Sequence, residues 1–225
     1  VRYFPTAPWT EEDVHTHRWR LEGLDELEST LEMLSRDVLL DLIRNFVFIR
    51  EERGRTTKVV ARYMQYKAAN KIVNRVLETL SGRDDRRSGL IWHWQGSGKT
   101  LTMIFAAYKL YRHELLKNPT IFFVLDRIEL QEQLSRELAA LGIRYEGISS
   151  IRHLIEVLTH EQGKGKRGIF VTLIHKFREE ELRDLVRELE ELSKSGKETI
   201  LDRQNVVAFV DEGHRTQYGS LASEM

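Results

Sequence analysis

The sequence predicts an α/β fold: a parallel sheet interleaved with helices and preceded by a small helical segment. Three observations carry that expectation. Four short apolar runs, Leu90 to Trp92, Ile121 to Leu125, Ile169 to Leu173 and Val206 to Val210, lack the apolar–polar alternation of a sheet with one wet face. Each is therefore expected to be buried on both sides. Between them, Leu101 to Tyr111, then Leu130, Leu134 and Leu138, then Leu182, Leu185, Val186, Leu189 and Leu192 carry helical spacing. Ahead of the first run lies a stretch with helical spacing alone.

That leading stretch places Leu24, Leu27, Leu31, Leu34, Val38, Leu39, Leu42, Ile43 and Phe46 three or four residues apart, with a break near Ser35. No cluster of convergent polar groups accompanies the stripe, so it reads as a packing spacer that buries its apolar face and carries no chemistry. Glu51 to Thr57 then loses all apolar character, which predicts a linker near Gly54. The expected organisation is a helical spacer and linker over 1–57 and a second module over 58–225.

Composition narrows the function classes. At 225 residues with 41% hydrophobic residues, the chain is long enough for one α/β core and an attachment. Lys and Arg number 35 against 35 Asp and Glu, so attraction to phosphate must come from local patches. Absence of cysteine removes thiol nucleophiles, disulfides and cysteine metal sites, and fits a reducing compartment; the cytoplasm is expected. The apolar runs are too short to span a bilayer, so no membrane partner is expected. The start at Val1, with neither initiator Met nor signal pattern, reads as an excised piece.

Ligands of open α/β sheets sit beyond the carboxyl ends of the strands, and the residues there are the informative ones. The first run is followed by His93-Trp94-Gln95-Gly96-Ser97-Gly98-Lys99-Thr100 and then a helical pattern. This is the second half of a P-loop in its expected setting, although His93 stands where the full pattern has its first glycine. Gly96, Ser97 and Gly98 would turn the backbone so that N–H groups and the helix N-terminus face phosphate oxygens. Lys99 would face the β/γ-phosphates, and Thr100 would offer its hydroxyl to Mg2+. The bland alternative is a Gly-rich turn before Lys-Thr.

The last run ends in Asp211-Glu212-Gly213-His214. Two carboxylates at a buried strand end are costly unless a cation is expected there. Asp211 would hold Mg2+, Glu212 would orient or deprotonate the attacking water, and His214 would sense the same phosphate. An acidic pair alone is usually solvated surface. Paired with a P-loop in one sheet, it marks a RecA-like ATPase lobe that binds ATP.

Gln-Gly-Ser-Gly-Lys-Thr-Leu-Thr-Met with Asp-Glu-Gly-His-Arg-Thr-Gln-Tyr-Gly resembles the R subunit of type I restriction-modification enzymes, from about Arg36 to Met225. Gly213 departs from that family's usual alanine, which should loosen the turn more than it alters chemistry. The resemblance implies the first lobe of an ATP-dependent DNA translocase and endonuclease, a hydrolase of restriction systems. Its implied partners are double-stranded DNA and the methyltransferase (M) and specificity (S) subunits. It also implies that Arg62 and Gln65 recognise adenine, and that Arg127, Thr172 and Lys176 lie in loops that touch the DNA backbone. Phosphate contacts carry affinity without sequence information, as a motor on any sequence requires. The arginine finger and the nuclease centre are expected outside this sequence, so the fragment alone should hydrolyse ATP slowly or not at all.

Three other readings stay open. Another two-lobed DNA or RNA helicase would share most of these motifs. A P-loop GTPase needs Asn-Lys-x-Asp after the P-loop, whereas Asn70-Lys71 precedes it and has Val73 in the last place. A non-catalytic clamp is opposed by the presence of Lys99, Asp211 and Glu212.

Overall fold

The computed structural model describes residues 2–3, 6–7, 17–18, 25–52, 54–92 and 97–211. The chain forms two compact units, one of residues 1–110 with 137–143 and the other of 111–136 with 144–225.

The first unit contains the short strands β1 (Arg2–Tyr3), β2 (Thr6–Ala7) and β3 (His17–Arg18), helices α1 (Glu26–Met33) and α2 (Arg36–Asn45), strands β4 (Val47–Glu52) and β5 (Arg55–Val60), and helices α3 (Tyr63–Leu80) and α4 (Lys99–Tyr111). The leading helical stretch does break at Ser35, and Leu42 and Phe46 are buried. Its stripe is not buried as expected: Leu27, Leu31, Leu34 and Ile43 are exposed. Leu24 lies outside the described residues.

Within Glu51 to Thr57, expected as a linker, Glu51 and Glu52 end one strand of a β-hairpin and Arg55 to Thr57 begin the other. β4 and β5 pair antiparallel from Val47↔Val60 to Glu52↔Arg55, and Gly54 takes φ +76 in the turn. Buried Phe48 and Val59 lie directly opposite each other, which fixes the register. Phe46 packs on Tyr66 and Phe105, and Phe48 on Phe105 and Tyr108, with ring centroids 4.8 to 5.5 Å apart. Each such buried ring contributes about 1.5–3 kcal/mol.

A polar cluster closes the first unit. Lys109 Nζ lies 2.6 Å from Asp41 Oδ1 and 2.7 Å from Asn70 Oδ1, and Asn45 donates to Asp41 at 2.8 Å. It ties α2, α3 and α4 together. Burial, followed by the nearby Asp41 carboxylate, pushes the Tyr66 hydroxyl well above its usual range.

Leu90 to Trp92, expected as a buried strand, is not one. Leu90 is 83% and Trp92 88% exposed. A three-residue apolar run becomes a strand only if a neighbour takes its backbone hydrogen bonds, and no described strand pairs with it.

The second unit holds β6 (Thr120–Leu125), β7 (Glu146–Gly147), α6 (Ile151–Gly163), β8 (Gly168–Leu173), α7 (Glu179–Lys194) and β9 (Val206–Val210). Helix α5 (Ile128–Ala140) follows β6 as its apolar spacing predicts. The sheet order is β7-β8-β6-β9 with every pair parallel, so the expected α/β parallel sheet is present. All six residues of β6 and five of six in β8 are buried, which explains their unbroken apolar character. Phe122 and Val124 join Phe170, Leu154, Val157 and Leu182 in one core. On the alternate positions, Phe123 stacks on Phe209 at 5.3 Å. Helix α7 buries Leu182, Leu185 and Leu189, as its spacing predicts. Among the described residues no helix is long and apolar enough to cross a membrane.

Candidate nucleotide and nucleic-acid site

The phosphate loop belongs to the first unit. Helix α4 opens at Lys99, so the backbone N–H groups of its first turn have no intrahelical partner and are available to an anion. Gly98 takes φ +82, a conformation L side chains rarely adopt, and a Cβ there would run into the Gln65 amide. Its carbonyl accepts three hydrogen bonds: from Thr102 N–H at 3.1 Å, Thr102 Oγ1 at 3.2 Å and Gln65 Nε2 at 3.3 Å. The Gly98 peptide is thereby pinned from two helices. Ser97 is buried, and its Oγ has no hydrogen-bond partner among the described residues. A buried hydroxyl without a partner costs about 1–3 kcal/mol, which a bound phosphate oxygen would recover. Gly96 lies outside the described residues, while Lys99 and Thr100 stand half-buried on the first turn.

Gln65 sits at the third position of α3 and is 3% exposed. Its Oε1 accepts the Arg62 N–H at 2.8 Å, a helix-capping bond, and its Nε2 reaches Gly98. Both ends of the side chain are therefore engaged within the protein. Arg62 is half-buried at the helix cap. Sequence reasoning singled out Gln65 without foreseeing its bond to the loop; the pairing joins residues 33 apart, and spacing within one helix carries no trace of it.

The pinned Gly98 yields a direct expectation. Gly98→Ala should strain the loop by about 1–2 kcal/mol and displace the Gln65 amide. Affinity for a fluorescent ATP analogue should fall, and the melting temperature should drop by about 2–8 °C. Unaltered affinity would contradict the placement of a nucleotide at this loop.

Asp211, the first of the two expected carboxylates, belongs to the second unit. Asp211 follows β9 directly, and its N–H donates to the Val124 carbonyl at 3.0 Å, which extends the β6–β9 ladder by one bond. Glu212 and His214 lie outside the described residues. Among the described residues no three Asp, Glu or His side chains converge as a metal cage. Magnesium at a phosphate loop needs none, because phosphates and waters fill most of its shell. Thr100 in the first unit and Asp211 in the second each carry a hard oxygen donor of the kind it prefers.

The same carboxyl edge of the sheet carries the three residues expected to touch nucleic acid, and their surroundings differ. Arg127 follows β6 with half of its side chain exposed, its Nε 4.0 Å from the Asp126 carboxylate. Lys176 is half-buried and its Nζ donates to the Ile148 carbonyl at 3.4 Å. That carbonyl follows β7, where His153 Nε2 at 2.7 Å and Lys166 Nζ at 3.2 Å hold the Glu146 carboxyl below its usual range. Thr172 is 1% exposed within β8, opposite Val124, and its Oγ1 has no partner among the described residues. A residue inside a strand covered on both faces offers no surface to a phosphate. The exposed member of that loop is His175, whose Nδ1 lies 3.2 Å from the Asp126 carbonyl.

A family model described as SWI2/SNF2 ATPase matches residues 64–225. The chain belongs to the SWI2/SNF2 ATPase family. It is 31% identical over 98% of its length to a putative type I restriction enzyme MjaVIIIP endonuclease subunit of Methanocaldococcus jannaschii, of which it covers 22%. It is 36% identical over 95% of its length to the type I restriction enzyme HindI endonuclease subunit of Haemophilus influenzae, of which it covers 19%. A third relative, the C-terminal part of a putative type I restriction enzyme MpnIIP endonuclease subunit of Mycoplasma pneumoniae, is 29% identical over 85% of this chain and 88% of its own length. The SWI2/SNF2 ATPase chain thus spans about a fifth of the first two relatives. The resemblance to R subunits is borne out by these matches, and the parallel sheet agrees with a helicase-like ATPase lobe.

Proposed function

We propose that this lobe binds ATP with Mg2+ and uses its hydrolysis to move double-stranded DNA, as the motor part of a type I restriction enzyme R subunit. The observation that carries the reading is the Gly98 peptide, pinned at positive φ at the start of α4 next to a Ser97 hydroxyl that has no partner among the described residues. No other described glycine has its carbonyl fixed from two helices at a helix N-terminus.

Gly96, Ser97 and Gly98 cradle the phosphates with their N–H groups, and Lys99 faces the β/γ-phosphates. Thr100 and Asp211 hold the cation, which when bound neutralises the charge that develops during phosphoryl transfer. Glu212 orients the attacking water and accepts its proton; His214 reports the state of the phosphate. Arg62 and Gln65 read the adenine edge, which requires Gln65 to exchange its cap bond or its Gly98 bond for the base. Arg127 and Lys176 contact DNA phosphates, and Thr172 supports that loop from beneath. The ATPase lobe begins near residue 58, close to the start of the family match at 64. Partner M and S subunits and DNA cleavage by a separate domain belong to the same proposal and rest on the resemblance, and a cytoplasmic location rests on the cysteine-free composition.

The test is ATP turnover by the full-length protein that carries this sequence, assembled with candidate M and S subunits. Turnover should rise with long duplex DNA and not with RNA. Stimulation by RNA would move the assignment to an RNA helicase, and stimulation by neither would leave a nucleotide-binding clamp.

A further inference from the structure

We propose that Lys109 is a positioning residue of the phosphate loop: with Asp41 and Asn70 it holds α4 in register with α3, and that register keeps Gln65 on the Gly98 carbonyl. Its consequence for nucleotide binding rests on the reading that this loop takes the phosphates of ATP.

The two helices are bonded to each other at two places. At the loop, Gln65 Nε2 of α3 donates to Gly98 O immediately ahead of α4. Lys109 stands about 15 Å beyond Lys99 by the helical rise, and its Nζ donates to Asn70 Oδ1 of α3 at 2.7 Å. One attachment leaves a helix free to turn and slide about it; a second, so far from the first, does not. The remaining packing is aromatic, with Phe46 set 4.8 Å from Tyr66 of α3 and 5.5 Å from Phe105 of α4 between ring centroids. Apolar burial holds helices together without fixing a direction, whereas a hydrogen bond from a charged group is both strong and directional.

Asp41 makes the second attachment rigid. It comes from α2, the helix whose sequence reads as a spacer without chemistry. Its Oδ1 accepts from Lys109 Nζ at 2.6 Å and its Oδ2 from Asn70 Nδ2 at 3.4 Å. With the Asn70 nitrogen turned to the carboxylate, the amide oxygen is left facing the ammonium; the reversed amide would set donor against donor and acceptor against acceptor. The Lys109 and Asp41 side chains are only 18% and 19% exposed, so water competes little for these bonds. The Tyr66 hydroxyl and Asn45 Nδ2 also bond to Asp41, so the carboxylate keeps partners when the lysine is removed. Asn45 differs from the others in one respect. It lies on α2 with Asp41, four residues away, and its bond joins no two helices.

Two measurements on the full-length protein test this: affinity for a fluorescent ATP analogue, and hydrogen exchange of amides 97–102 without nucleotide, the stretch in which Thr102 N–H donates to Gly98 O. Lys109→Met keeps the apolar stem and cuts α4 out of the cluster. It should weaken analogue binding about tenfold and speed exchange of that stretch about tenfold, the effect of one charge-assisted hydrogen bond. Asn70→Ala should do likewise. Asn45→Ala removes a buried bond but no link between helices; it should lower the melting temperature while affinity and exchange stay within about twofold of wild type. A Lys109→Met loop that exchanges at the wild-type rate overturns the proposal, as does unchanged affinity in that variant where wild type binds. An Asn45→Ala loop that exchanges as fast as that of Lys109→Met also overturns it, since the loss would then be one of general stability. If wild type does not bind the analogue while Lys109→Met still speeds exchange, the nucleotide reading falls and the positioning role stands. If Lys99→Ala weakens binding while Lys109→Met changes neither quantity, the positioning role falls alone.

Discussion

Lys99→Ala is expected to lower ATP turnover by about 10²–10³-fold in the full-length protein, the loss that follows removal of one preorganised group facing developing charge. Lys99 is the first residue of α4, where its ammonium adds a full charge to the partial charge of the helix N-terminus. On the γ-phosphate of a loosely bonded transition state, catalysis is almost wholly electrostatic, so deletion of this charge cannot be offset by covalent chemistry elsewhere. The fold should not suffer. α4 is held by buried Ile104, Phe105 and Leu110, and by the bonds from Lys109 to Asp41 and Asn70, all remote from Lys99 in the helix. Phosphate release and nucleotide affinity should therefore fall at an unchanged melting temperature. DNA-stimulated turnover at the wild-type rate would sink the assignment of Lys99.

The parts that were legible in the sequence are those where burial and period agree. β6 and β8 show continuous apolar runs because both faces are covered, and α7 shows Leu182, Leu185 and Leu189 on a charged background because one stripe is buried. The misread parts have physical causes. Glu51 to Thr57 carries no apolar side chain and so reads as a linker, although its Arg55 to Thr57 part opens a strand held in register by Val59 opposite Phe48. The Leu27, Leu31 and Leu34 stripe has the period of a buried face, yet those residues are exposed; period reports amphipathicity and not occupancy. The resemblance placed Thr172 in a loop that touches the DNA backbone, whereas its place in the β6–β8 register puts it in the sheet interior. At the phosphate loop, the residue types Gly, Ser, Gly, Lys and Thr predict a glycine turn leading into a helix, and α4 opens at Lys99 after Gly98 at φ +82. The bond from Gln65 that pins it was not legible, since it forms between residues brought together only by the fold.

Glu212→Gln is expected to separate binding from chemistry. The substitution preserves size and hydrogen-bonding reach but removes the group that takes the proton of the attacking water, a role that contributes about 10²–10⁴-fold. Asp211, whose N–H is fixed on Val124 O at the end of the ladder, retains its carboxylate, and the phosphate loop lies in the other unit. ATP affinity should stay within about twofold of wild type while turnover falls by that factor, since a general base acts in the transition state and not in the ground state. Equilibrium binding of ATP beside single-turnover hydrolysis reads the two quantities independently. A Glu212→Gln variant that fails to bind ATP would place the residue among the cation ligands, and one that turns over normally would remove it from the reaction. The contrast with Lys99→Ala is the informative part. A group that meets phosphate in both ground and transition states should lower affinity and rate together, whereas one that meets only the attacking water should lower rate alone.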